Sequence, residues 1–283
     1  MKILKNKSLK EFTTFKIGGK ASNFFEAKTF DDMKKIYVFA KENNLKTFIL
    51  GKGSNILFDD KGFSGMVIYN NISFLTISKR DIHVGSGYSF PSLGVKLARM
   101  NLSGLEFAAG VPGTLGGAIY MNASAFGQSI SDTIESVVIL NEEGEIETLK
   151  KNDLEFNYRT SCFQRSKSII LSGKFSLENN DNARDKQIEF LTKKRKNQPL
   201  NEKNAGCIFK NPESMSAKKI IAECGLKNHQ IGGAKISDLH ANFIINENDA
   251  SSKDVIDLIS HIKRVVKEKT NIELFEEVKF IPY

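Results

Sequence analysis

The sequence predicts an α+β fold with mixed sheets. Three observations carry that prediction. Short apolar runs of strand length, such as "TFIL" at 47–50, "MVIY" at 66–69 and "NFIIN" at 242–246, alternate with segments whose apolar residues recur at helical spacing. Two pairs of apolar runs are separated by turn-forming residues and read as hairpins. The last third changes character and carries a strongly amphipathic helix.

The elements follow in order. Thr29 caps a helix to 41, with Met33, Ile36, Tyr37 and Ala40 on one face. "TFIL" is a buried strand that ends in glycine, and "ILF" at 56–58 and "MVIY" are further short strands. "FLTIS" and "IHVGSG", split by Lys79, Arg80 and Asp81, form a hairpin. Pro91 sits in the first turn of a helix to 100. "VVIL" and "IETL" flank "NEEGE" as a second hairpin, and "SIILSGKFSL" at 168–177 is another strand. A helix spans 182–196 and stops before Pro199. Then come "MSAKKIIAEC", a helix stopped by Gly225, the strand "NFIIN", and the helix "SSKDVIDLISHIKRVVKEK" with Val255, Ile259, Ile262 and Val266 on one face. "VKFI" closes the chain as a strand. Boundaries near Asn70 and Asn197 give domains 1–70, 71–196 and 197–277, with the tail 278–283 returning to the first.

Composition narrows the class. The 283 residues suffice for two or three modest domains, and 40% hydrophobic with 26% charged residues is an ordinary soluble balance. "MKILKNKSLKEF" at the start has no apolar run fit for a signal peptide, and no window approaches the roughly 18 apolar residues of a membrane span. Cys162, Cys207 and Cys224 are an odd set without a CxxC, which favours a reducing, cytoplasmic setting over a disulfide framework or a zinc site. No HExxH or paired-ligand spacing exists among the four histidines, so no metal is expected. The 41 basic minus 33 acidic residues leave +8, spread along the chain. No nucleic-acid-binding signature accompanies the charge, which suits phosphate-bearing small molecules. A non-catalytic nucleotide binder is the alternative that charge alone allows.

Two glycine stretches are candidate phosphate sites. In "LGKGSNILF" a strand runs into Leu50, Gly51, Lys52, Gly53, Ser54 and Asn55. Backbone N–H groups around two glycines can form an anion nest, and Ser54 and Asn55 add side-chain donors. Ile56 stands where a dinucleotide fingerprint needs glycine, and Lys46 where a Walker loop does. A plain tight turn is the alternative. In "AAGVPGTLGGAIYMNASAFG", Gly110, Gly113, Gly116 and Gly117 fall within eight positions. So many glycines in an apolar run are costly to order and point to a backbone that approaches something large and flat. The two stretches together suit a flavin dinucleotide.

A third stretch, "NAGCIFKNP", sets Cys207 beside Gly206 at a bend. It is either a small buried residue or a proton donor facing a bound anion.

Taken in order, "TTFKIGG", "LGKGSNIL", "AAGVPGTLGGAIYMNASAFG", "FNYRTSCF", "NAGCIFKNP", "HANFIIN" and "LFEEVKFI" resemble the UDP-N-acetylenolpyruvoylglucosamine reductase family over nearly the whole chain. The resemblance implies a two-domain FAD-binding fold of the vanillyl-alcohol-oxidase type plus a C-terminal α+β substrate domain. It implies non-covalent FAD, NADPH as co-substrate, and reduction of UDP-N-acetylglucosamine enolpyruvate to UDP-N-acetylmuramate by a cytoplasmic monomer that needs neither nucleic acid nor membrane. Leu50 to Asn55 would hold the pyrophosphate. Gly110, Val111, Pro112, Gly113, Thr114, Gly116, Gly117, Ala118, Met121, Asn122 and Ala123 would cover the flavin.

In the implied reaction, hydride reaches the terminal carbon of the enol ether and charge flows onto the carboxylate. A proton must then reach the carbon that bears the ether oxygen. Arg159 matches the family's arginine at the carboxylate, where a guanidinium can bond both oxygens. Cys207 stands where most members have a serine proton donor. A free thiol titrates near ~8.5, a far better acid than an alcohol. Glu277 matches the glutamate that stabilises or relays protonation of the enolate, although Glu276 beside it leaves the assignment open. Tyr158, Lys210, Asn211 and His240 are candidate substrate contacts, with a structural histidine equally open for His240. The segment 160–206 has no tyrosine and lacks an inserted loop found in many members, so the chain resembles the second type of the family. Arg195 or Lys196, near the domain boundary, is then a candidate for gripping the uracil end. Another FAD oxidase on this fold is disfavoured, because alcohol oxidation needs a base rather than this acid.

Overall fold

Thr29 and Asp32 set the first helix. The Thr29 hydroxyl accepts from Asp32 N at 3.0 Å, and the Asp32 carboxylate accepts from Thr29 N at 3.1 Å. This reciprocal cap starts α1 (Phe30–Glu42), which buries Met33, Ile36, Tyr37 and Ala40, the face its periodicity predicts. The computed structural model describes residues 1–213 and 215–283. They form two compact units. The first comprises Met1–Ile3, Phe24–Gly51 and Met66–Lys194, and the second Leu4–Asn23, Lys52–Gly65 and Arg195–Tyr283.

The first unit is built on a five-stranded antiparallel sheet. Its strands run Ile146–Lys150, Ile134–Leu140, Ile169–Ser176, Asp81–Gly85 and Leu75–Ser78 in spatial order. Alternation along "IIL" sends Ile170 to one face and Ile169 and Leu171 to the other. On the first face lie α2 (Phe90–Ala98), α3 (Leu115–Tyr120) and α4 (Ile130–Thr133), around Phe90, Phe107, Leu115, Ile119, Ile130 and Phe175. Each such fully buried aromatic contributes about 1.5–3 kcal/mol of transfer free energy. On the second face α1 packs with Met66 and Ile68 of the strand Phe63–Asn70, which pairs in parallel with Thr47–Leu50. α5 (Ala183–Asn197) adds Phe190 to the first core. Pro91 occupies the first turn of α2, as expected. The helix α3 within the glycine stretch was not foreseen. It begins where Thr114 caps Gly117 and holds by burying Leu115, Ala118 and Ile119.

The second unit has a four-stranded antiparallel sheet in the order Asn204–Cys207, Phe243–Asn246, Ala234–Ile236, Gln230–Ile231. The helices α6 (Ala217–Glu223) and α7 (Ser252–Thr270) cover it through Ile220, Ile221, Val255, Leu258, Ile262 and Val266. Phe15, Ile17 and Leu57 belong to the same core. The closing strand Lys279–Ile281 pairs in parallel with Ile56–Phe58. Among the described residues no helix is long and apolar enough to cross a membrane. The mixed helix and strand content matches the predicted α+β class.

Candidate active site

In the first unit the two glycine stretches meet. Leu50, 1% exposed, ends its strand, and a Cβ on the next residue, Gly51, would lie 2.6 Å from Thr114 Oγ1. Thr114 is itself fixed, since its hydroxyl accepts from Gly117 N at 3.4 Å. The segment around it is tied to the start of α2: Phe90 N donates to Gly113 O at 3.1 Å, Leu115 N to Tyr88 O at 2.9 Å and Gly116 N to Ser86 O at 2.7 Å.

The glycines of this segment have separate reasons. Gly113 takes a φ of 136°, which glycine alone adopts readily. At Gly116 a Cβ would sit 3.0 Å from Ser86 Cβ, and at Gly110 it would sit 2.6 Å from Lys194 Cδ. Gly117 differs. It is exposed, and the nearest atom to its absent Cβ is Thr114 Oγ1 at 3.7 Å. The first turn of α3 therefore leaves its backbone open to a close neighbour. Val111 is half-buried, Pro112 exposed and Ala118 buried along the same ridge.

Arg159 is tied to the end of this ridge. Asn157 and Thr160 exchange two backbone bonds of 3.0 Å, and Arg159 sits in that reversal with a φ of 55°. Its Nη1 donates to Ser124 Oγ at 2.6 Å, and its guanidinium carbon lies 5.1 Å from the centre of the exposed Tyr158 ring. Gln164 Nε2 donates to both Arg159 O and Tyr120 O. Asn122 spans the same region, donating to Asn157 O at 3.1 Å and accepting from Ser131 N at 3.1 Å. Ala123 N closes onto Ala118 O, and the half-buried Met121 sulfur accepts from Gln164.

In the second unit three stretches distant in sequence converge. Gly53 has a φ of 59°, where a side chain would strike Phe12 O, and its carbonyl accepts from Thr14 N. Lys52 is exposed, while Ser54 and Asn55 are half-buried. Asn55 Nδ2 donates to Glu277 O at 3.1 Å, and Asn55 O accepts from Lys279 N at 3.0 Å. Cys207 ends the strand Asn204–Cys207, opposite Phe243. Gly206, with a φ of 77°, makes the irregularity in that pairing, and its missing Cβ points to Ser54 O at 3.9 Å. Ile208 O then accepts from Glu277 N at 2.7 Å and Val278 N at 3.3 Å. The backbone of Glu277 is thus tied to the residue that follows Cys207, and both Cys207 and Glu277 are half-buried.

The neighbouring candidates have distinct settings. Glu276 is engaged by Lys263 at 2.8 Å. Lys210 is half-buried, with its N donating to Phe275 O at 2.9 Å. Asn211 uses Oδ1 to accept from Ala217 N at 3.0 Å, at the start of α6. His240 is 9% exposed and edge-on to Phe243 at 4.6 Å. Burial, with nearby Lys218, pushes its pKa down to about 4, so it is neutral at pH 7. Its Nδ1 has no hydrogen-bond partner among the described residues.

Sequence reasoning missed two supports. Asn242, 2% exposed, exchanges hydrogen bonds of 2.9 and 2.8 Å with the Phe209 backbone and locks the segment after Cys207. A polar residue opening the apolar run "NFIIN" was the available signal. Ser124, the partner of Arg159, carried none. Among the described residues no group of three His, Cys, Asp or Glu could hold a metal.

Residues 198–281 match the family model described as UDP-N-acetylenolpyruvoylglucosamine reductase, C-terminal domain, and residues 21–150 match that of an FAD binding domain. The chain is 48% identical over 276 residues to UDP-N-acetylenolpyruvoylglucosamine reductase of Protochlamydia amoebophila, covering 97% of this chain and 92% of the relative. It is 41% identical to that of Bacillus subtilis, covering 99% and 94%. The solved structure of UDP-N-acetylenolpyruvylglucosamine reductase from Thermus caldophilus superposes with a TM-score of 0.84 at 32% identity, covering 99% of this chain and 98% of that one.

Proposed function

The chain belongs to the UDP-N-acetylenolpyruvoylglucosamine reductase family, and we propose from that premise that it reduces UDP-N-acetylglucosamine enolpyruvate to UDP-N-acetylmuramate, with FAD as bound cofactor and NADPH as reductant. The open backbone at Gly117, beside Gly51 and Thr114, suits a cofactor that needs N–H donors and close approach. Leu50 to Asn55 and the ridge from Gly110 to Ala123 would hold FAD, which when bound supplies the hydride. In this reading segments 1–70 and 71–196 serve the flavin and 197–277 the substrate.

The chain's own side chains account for the rest. The planar guanidinium of Arg159 can bond both oxygens of the substrate carboxylate, where charge builds up. Its anchor on Ser124 limits the rotamer entropy lost on binding. Cys207 donates a proton to the carbon that bears the ether oxygen, and a positioned acid contributes roughly 10²–10⁴ in rate. Glu277 stabilises that proton transfer from the adjoining strap. Neutral His240, Lys210 and the amide group of Asn211 would add substrate contacts, as would Tyr158.

The observation that supports this reading is the pair of hydrogen bonds that Ile208 O accepts from Glu277 N and Val278 N, which brings the backbone of Glu277 to the residue after Cys207, although 70 positions separate Cys207 from Glu277 in the chain. The test is consumption of NADPH by the purified protein. We expect flavin absorbance in the preparation and NADPH oxidation that requires the enolpyruvyl nucleotide. Oxidation indifferent to the nucleotide, or a protein that takes up no FAD, would overturn the proposal.

A further inference from the structure

One face of α5 touches the start of the glycine ridge and the segments on either side of it at three successive turns. Lys186, Phe190 and Lys194 stand at i, i+4 and i+8, so they form a single stripe. Lys194 Nζ donates to Gly110 O at 2.9 Å, and its alkyl stem occupies the place of the missing Gly110 side chain, 2.6 Å from a Cβ built there. Phe190 stacks on Phe126, with ring centres 4.4 Å apart and planes at 14°. Lys186 lies 3.8 Å from the carboxylate of Glu106, whose side chain is fully buried, and its ammonium is also 5.7 Å from the Phe190 ring.

Each partner of the stripe bounds the ridge. Glu106 accepts from Ser103 Oγ at 2.6 Å, Gly104 N at 2.8 Å and Gln128 Nε2 at 2.7 Å, so it ties the segment before Gly110 to the segment after Phe126. Burial would raise its pKa, yet these bonds hold it below the ordinary carboxylate range, and it remains ionised opposite Lys186. Phe126 has a φ of 54° and is followed by Gly127, which has no atom within 4 Å of its Cβ position. Phe190 adds a side-chain contact to a turn whose flanks already pair, Ala125 with Gln128 and Ser124 with Ser129, and Ser124, the anchor of Arg159, lies two residues before Phe126.

We propose that Lys194 and Phe190 are positioning residues for the cofactor ridge: α5 clamps both ends of the segment from Gly110 to Phe126 and so sets how tightly the flavin is held. Gly110 is then required by Lys194 rather than by the cofactor. The inference rests on the FAD reading above, and its test separates the two.

The test compares wild type with Lys194→Met, Lys194→Arg and Phe190→Ala. FAD affinity is measured by quenching of flavin fluorescence on titration into apoprotein. Amide hydrogen exchange over 106–128 is followed in the apoprotein, with circular dichroism as the folding control. Met keeps the stem and loses the donor. Loss of a charge-assisted hydrogen bond should raise the FAD dissociation constant about tenfold. Exchange near Gly110 should accelerate in Lys194→Met, and Arg should restore both readouts. In Phe190→Ala the fast exchange should centre on 124–128. Folded variants whose exchange and FAD affinity both match wild type would overturn the clamp. A wild type that binds no FAD would instead overturn the cofactor reading, while the exchange data would still decide the clamp. If Phe190→Ala fails to fold, Lys194→Met, a partly exposed position, decides alone.

Discussion

Glu276 and Glu277 are chemically identical neighbours with different surroundings. Glu276 forms an ion pair with Lys263 in which both side chains keep more than a third of their surface, and such pairs are worth about 0–1 kcal/mol. Glu277 is tied to Ile208 O next to Cys207. Glu277→Gln should therefore lower kcat by roughly 10²-fold, and Glu276→Gln by less than about twofold, in a steady-state assay. Equal losses would reverse the assignment between them. His240 supplies a pH dependence. Its pKa falls to about 4 in the folded chain, against about 6.5 in the unfolded one, so between those values the unfolded chain takes up a proton that the folded chain refuses. Stability is complete above pH 6.5 and declines as pH drops towards 4, by at most about 1.4 kcal/mol per unit from this group. Urea midpoints measured from pH 7.5 to 4.5 should show that slope in wild type and a flatter one in His240→Gln; parallel curves would remove His240 as the cause.

The helices of both units owe their ends to local chemistry, which made most of them legible. Ser251 and Asp254 repeat at α7 the reciprocal cap of α1: Asp254 N donates to Ser251 Oγ at 3.1 Å, and Ser251 N to Asp254 Oδ2 at 2.9 Å. These bonds, led by the one from Ser251 N, hold the Asp254 carboxyl below its usual range. Asp254 also accepts from Gly233 N at 3.2 Å, so the cap joins α7 to the turn between two strands of its sheet. Ser251→Ala should cost about 1 kcal/mol, which lowers the thermal midpoint by about 2–4 °C in a domain of this size; calorimetry showing no change would mean that the cap is dispensable. The strands Leu4–Ser8 and Lys20–Ala27 were not legible. "LKNKS" is mostly polar, and only its pairing with Lys20–Ala27 at the edge of the sheet makes it a strand. The helix α3 was hidden for a related reason. Two glycines in six residues lower its propensity, and only the burial of Leu115, Ala118 and Ile119 shows why it forms.

For the whole molecule, the motifs were legible and their contacts were not. "GKGSN" and "NAGC" signalled a special backbone and "EEV" entered through the family resemblance, but only the fold shows Asn55, Ile208 and Glu277 sharing hydrogen bonds within one unit. The four glycines of "GVPGTLGG" looked like one feature from sequence. In the structure Gly110 answers to Lys194, Gly116 to Ser86 and Gly113 to its own φ, which leaves Gly117 as the open position. Arg159 was found by its motif, while Ser124, which orients it, had no signature. In the proposed reaction Cys207 supplies the proton in the substrate half and nothing in the NADPH half. Anaerobic stopped-flow absorbance of the flavin in Cys207→Ala measures the halves separately. Bleaching by NADPH should proceed at close to the wild-type rate, and recovery of absorbance on adding the enolpyruvyl nucleotide should slow by roughly 10²–10⁴, with turnover partly restored in Cys207→Ser. Recovery at the wild-type rate, or both halves slowed alike, would contradict this role of Cys207.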